Sequence, residues 1–308
     1  MKGGKMAVKE RKIREHRFLN KYTIPGVLLL MLGAHLTVEI IISNLAGIPL
    51  ALIFGNNMSA VLASSECINI FAAFLVLSIY WRHFYPEFEG NLKGGSQVGK
   101  WVIFGIVAAV VFTLVDIIQA NGAATIGFPG IVNVLAAFMA GICEETVFRG
   151  IGTSYLMRQW RDEKKIIPAM IITSAVFGLI HLVNLATGSP LVMVLPQVVN
   201  AIVMGMLLCA VYLRSGNLIP VMVLHTLNDF GKFIFVDIVV EGGGFSAAAS
   251  LSSADWISLA VSMIVSLGIA LYLVRPSKRG EICALWDRKW NISHCSDPQT
   301  ATAPGNGR

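Results

Sequence analysis

Long apolar runs constrain this chain more than any other feature. A helix that crosses a bilayer needs about 20 mainly apolar residues. Eight stretches meet that requirement, at roughly 24–46, 60–81, 100–120, 130–153, 166–185, 191–213, 218–240 and 255–274. Composition agrees: 55% of the residues are hydrophobic and only 14% are charged, where a soluble chain would carry about a quarter. The expected fold class is all-α, a polytopic membrane protein with about eight transmembrane helices. The stretch 44–60 is apolar as well, so it either re-enters the membrane or runs along its surface.

The basic residues orient these segments. Of the 24 Lys and Arg, all but Lys232 fall on the N-terminal arm, on alternate connections, at the matching end of the fourth stretch (Arg149) or on the C-terminal tail. The positive-inside rule makes that side cytoplasmic and puts both termini there. An odd number of spans would destroy the agreement. The expectation is a multi-pass protein of the plasma membrane, with a basic cytoplasmic arm over 1–23 that touches membrane lipid. A transmembrane bundle follows over 24–275, then a disordered cytoplasmic tail over 276–308. The net charge of +6 is explained by this asymmetry, and no nucleic acid is expected. Five cysteines without paired spacing, Cys67, Cys143, Cys209, Cys283 and Cys295, indicate neither a disulfide framework nor a zinc ribbon.

Ionisable residues inside apolar spans are costly, so they face the bundle interior or a wet cavity and mark function. Here they are His35 and Glu39, Glu66, Asp116, Glu144 with Glu145, His181, and His225 with Asp229 and Lys232. Spacing sorts them. Glu145 and Arg149 are i, i+4 with the acid first, the favourable order for pairing on a helix. Glu144, about 100° round an α-helix from Glu145, points elsewhere. His225 and Asp229 share a face, as do Phe177 and His181. Packed together, the helices over 130–153, 166–185 and 218–240 would join a carboxylate to two imidazoles, a set able to activate water. Helix rise puts that meeting point toward the cytoplasmic side. His35, Glu39, Glu66 and Asp116 more simply line a polar cavity or bond between helices, and Cys143 fills a small buried space.

Three motifs, in order, carry a resemblance. "EETVFRG" has the form EExxxR, "FGLIH" the form FxxxH and "HTLND" the form HxxxN/D. Together they resemble the CPBP family of intramembrane proteases, also called Abi proteins, of the CAAX prenyl protease 2 type. The resemblance covers about residues 100–240. It implies an intramembrane endopeptidase acting on a peptide or membrane-protein substrate. Glu144 would be the catalytic base, and His181 and His225 would hold the water or the oxyanion. Asp229 stands where the family often has Asn, an oxyanion donor. Glu145, Arg149 and Phe177 would support the site. The family is described both as metalloprotease and as a metal-free glutamate enzyme. Glu144, His181 and His225 would suit Zn²⁺ or another divalent metal with an open fourth position, and the sequence leaves that choice open. An ionised Asp229 cannot donate a hydrogen bond, and Lys232, three residues on, is placed to offset its charge. The competing classes are a non-catalytic scaffold or immunity protein and a proton-coupled transporter, the latter disfavoured by the lack of inverted repeats.

Overall fold

The computed structural model describes residues 21–55, 57–120, 130–186, 188–233, 239–241, 244–246 and 253–291. Residues 1–20 of the basic arm and the tail beyond 291 lie outside the described residues. Twelve α-helices are described: α1 Thr23–His35, α2 Ser43–Phe54, α3 Met58–Ile79, α4 Val98–Ala120, α5 Ile131–Met139, α6 Ser154–Gln159, α7 Ile166–Leu179, α8 Val183–Ala186, α9 Leu191–Ser215, α10 Ile219–Phe233, α11 Ser253–Leu273 and α12 Pro276–Lys289. The only sheet among the described residues is a short antiparallel ladder, in which Val239–Glu241 pairs with Gly244–Ser246.

The chain is an all-α multi-pass membrane protein. Among the described residues, five continuous helical runs are long and apolar enough to cross a membrane: Met58–Arg82, Val98–Val115, Ile131–Gln159, Glu163–Ala186 and Leu191–Ser215. A sixth passes only when α11 and α12 are taken together, and these are bent by 67° at the break between them. Large apolar side chains are exposed on the outer surfaces of the helices, Leu52 at 83% exposure being the extreme. Two of the eight apolar stretches take another form. The first is interrupted by the π-helical segment Leu36–Ile42 and gives one shorter apolar helix, Thr23–Val38, while a second, Leu45–Phe54, belongs to the apolar stretch that follows. The seventh holds the 15-residue α10, and residues 234–238 lie outside the described residues. Hydropathy measures composition and is blind to such breaks in the backbone.

The stretch 44–60 forms α2, which packs on α3 and stops at Gly55, where φ is +57°. The tail departs from expectation. Residues 276–289 are helical, not disordered, and Trp286, Lys289 and Trp290 are buried. Its charged residues hide a face that repeats at helical spacing, with Ile282, Cys283, Leu285 and Trp286 turned inward.

The packing that matters is around α10. It lies along α4 and against α5 and the segment Ala140–Glu144, while α9 lies between α7 and α11. Gly141 permits the close approach, because a Cβ there would strike the Thr226 hydroxyl and sit 2.8 Å from its backbone nitrogen.

Candidate active site

The run Ile131–Gln159 is one helix, but its middle is wider than an α-helix. Ala140–Glu144 and Thr146–Thr153 are π-helical, and the Ser154 N–H reaches back five residues to the Arg149 carbonyl. Such widened turns inside α-helices frequently occur at functional sites. The whole EExxxR motif lies on this segment. Widening does not separate Glu145 from Arg149: Arg149 Nη1 donates to Glu145 Oε1 at 2.8 Å, with both side chains fully buried. The expected pair is present.

Arg149 is held on two further sides. Its Nη2 donates to the Gly205 carbonyl at 2.9 Å, and its guanidinium carbon lies 4.6 Å from the centre of the Phe177 ring, a cation–π contact. Gly205 makes the space, since a Cβ there would sit 3.1 Å from both Arg149 Nη2 and Phe177 Cδ1.

Glu145 also reaches α10. His225 Nδ1 lies 2.8 Å from Glu145 Oε1, and an ionised carboxylate only accepts, so Nδ1 carries the proton and donates. Nε2 then looks the other way, 3.3 Å from Asp229 Oδ2 and 3.7 Å from Glu144 Oε2. Asp229 is itself held, because Lys232 Nζ donates to its Oδ1 at 2.8 Å. The offset expected from Lys232 is therefore made as a direct ion pair. Exposure separates the two glutamates: the Glu144 side chain is 16% exposed and that of Glu145 is 0%. Only Glu144 of the pair can meet a water from outside.

His181 sits where α7 gives way to the tight turn Ile180–Leu182. Its Nδ1 lies 3.0 Å from the Phe177 carbonyl. A carbonyl only accepts, so Nδ1 is the donor and the Nε2 lone pair is available in the neutral ring. Phe177 joins the two imidazoles. Its ring meets His181 edge-on at 5.4 Å between centres and His225 at 5.9 Å. The sequence placed Phe177 with the supporting residues; its contacts with both histidines and with Arg149 were not legible there. Nor was the bond from His225 to Glu145, although the adjacent acids of "EE" were the available signal.

The other intramembrane polar residues have these surroundings. The His35 ring is 5.9 Å from that of Phe148, Glu66 is half-buried and Cys143 is buried. The side chains of Glu39 and Asp116 lie outside the described residues.

The donors here have the right chemistry for a divalent cation, but not the right arrangement. Among the described residues, no group of three His, Cys, Asp or Glu is placed to hold a metal ion. Both nitrogens of His225 already face carboxylates.

Residues 127–231 match the family described as Rce1-like, type II CAAX prenyl endopeptidase. The matched segment contains Glu144, Glu145, Arg149, Phe177, His181, His225 and Asp229, and Lys232 falls one residue beyond it. No curated protein and no solved structure matches the chain.

Proposed function

We propose that this Rce1-like protein is an intramembrane endopeptidase of the CAAX-processing type in which Glu144 activates water. The observation that carries the reading is the arrangement round His225: one nitrogen fixed by buried Glu145, the other facing Glu144 and Asp229. Glu144 takes a proton from water as the oxygen attacks the scissile carbonyl. His181 Nε2, an acceptor in the neutral ring, holds the attacking water. The negative charge that develops on the carbonyl oxygen faces His225, whose Nε2, set between Glu144 and Asp229, carries the second proton of an imidazolium. Glu144 then returns the proton to the departing amine, so the peptide C–N bond breaks with no covalent intermediate. Asp229, an acceptor, positions His225, and Lys232 balances its charge. The substrate is a peptide or membrane protein reached from the cytoplasm or the inner leaflet of the plasma membrane, and lipid surrounds the bundle.

Comparing the membrane proteome of cells with the wild-type protein and with Glu144→Gln tests this. A substrate that accumulates uncut only with the variant is expected, since general-base catalysis contributes about 10²–10⁴-fold. Purified enzyme is expected to retain cleavage after dialysis against a chelator. Loss of activity that Zn²⁺ restores would replace the glutamate mechanism with a metal-assisted one, and normal cleavage by Glu144→Gln would remove the assignment.

A further inference from the structure

We propose that Asn91, outside every motif and outside the Rce1-like segment, is a positioning residue that sets the distance between Glu145 and His225. The inference rests on the proteolytic reading for its kinetic part only.

Asn91 is fully buried in the connection between α3 and α4, yet it bonds to three separate pieces of the bundle. Its Nδ2 donates to the Gly150 carbonyl at 2.8 Å. Its Oδ1 accepts from the Tyr212 hydroxyl near the end of α9. Its backbone carbonyl accepts from the Leu218 N–H at the start of α10, at 2.8 Å. Two of these anchors belong to the two helices that meet at the site. Gly150 lies one residue beyond Arg149 on the π-helical segment. Leu218 precedes His225 by two helical turns, about 10 Å of rise.

Geometry makes the coupling direct. The Glu145–His225 bond joins the widened helix to α10, and Asn91 joins the same two helices closer to their ends. Two ties between two rigid rods fix their axial register as well as their separation. The Gly150 carbonyl accepts from Asn91 and also from Ser154 Oγ, at 2.5 Å, so a side chain from another segment helps to satisfy the widened turn. The neighbouring connection adds to the tie: Ser96 N–H donates to the Ser215 carbonyl at 2.7 Å, and Asn217 Nδ2 donates to the Gly94 carbonyl at 3.1 Å.

The test uses the full chain carrying Asn91→Ala, Asn91→Asp or Tyr212→Phe, with two readouts. One is kcat and KM on the substrate found by the proteome comparison. The other is the imidazole ¹⁵N–H resonance of His225, assigned by its loss in His225→Gln, which reports the bond to Glu145 whether or not the protein is a protease. Asn91→Asp keeps the acceptor for Tyr212 and removes the donor to Gly150. It is expected to lower kcat about tenfold, the equivalent of one buried hydrogen bond, with KM within about twofold, and to shift the His225 resonance. Asn91→Ala is expected to do more. Tyr212→Phe leaves both helix ties in place, gives a smaller shift, and still reads out the network if the Asn91 variants fail to fold. An unchanged His225 resonance and kcat in folded Asn91→Asp would overturn the proposal. If Glu144→Gln cleaves normally, the proteolytic reading falls, and the resonance alone then decides the role of Asn91.

Discussion

Adjacent glutamates on one helix have opposite surroundings here. Glu145 is sealed between Arg149 and His225, while Glu144 keeps an opening outward. Their amides should therefore behave differently. Glu145→Gln leaves Arg149 buried without its counter-charge, and breaking such a pair costs roughly 3–5 kcal/mol. A lower unfolding temperature in detergent and poorer recovery of monodisperse protein are expected for Glu145→Gln, with Glu144→Gln close to wild type in both. Equal stability of the two variants would contradict the division of labour. The i, i+4 spacing made the Glu145–Arg149 pair legible in the sequence, because four residues bring side chains together on α- and widened turns alike. Neither the bond from Glu145 to His225, 80 residues along the chain, nor the ties of Asn91 had a local signal. Contacts between distant segments depend on helix register, which composition does not encode.

At the level of elements, apolar periodicity located the spans but not their breaks. A π-turn shifts backbone hydrogen bonds by one residue without asking for any particular side chain, so nothing in "GICEETVFRG" announces it. The helix α12 was hidden for another reason. Its six charged residues read as tail, yet Trp286 Nε1 donates to the Leu213 carbonyl at 3.1 Å, and the Trp290 ring stacks on Phe88 at 4.1 Å. Cys283 on the same helix is 9% exposed, and burial, followed by the nearby carboxylates of Glu163, Asp287 and Asp162, pushes its thiol up to about 11. Only the thiolate is nucleophilic, and at pH 8 little is present. Alkylation of Cys283 at pH 8, followed by mass spectrometry, is expected to be slow in the native protein. It should accelerate in Trp290→Ala, where α12 loses its aromatic anchor. Fast labelling of native Cys283 would mean that α12 is not docked.

For the molecule as a whole, the charge asymmetry predicts that both termini share the cytoplasmic side. A reporter fused after Arg308 is expected to read as cytoplasmic, and one inserted at Gly243 as external. An external signal after Arg308 would reject that orientation. The fusion belongs at the end of the chain because truncation within α12 would remove Trp286, Lys289 and Trp290. Lys289 reaches across to the connection that carries Asn91, its Nζ donating to the Lys93 carbonyl at 2.9 Å and approaching Glu89 Oε2 at 3.5 Å. Burial disfavours its charge and pulls the ammonium below its usual range, while Glu89 opposes the shift. A ribosome delivers a chain from its N-terminus, so α12 emerges after every helix of the site has been made. Until it docks, the connection from Tyr85 to Gln97 lacks one of its walls. A nascent chain stalled before Pro276 would hold all the motif residues and still lack the part that fastens them, so the bundle is complete only once synthesis has passed the last described helix.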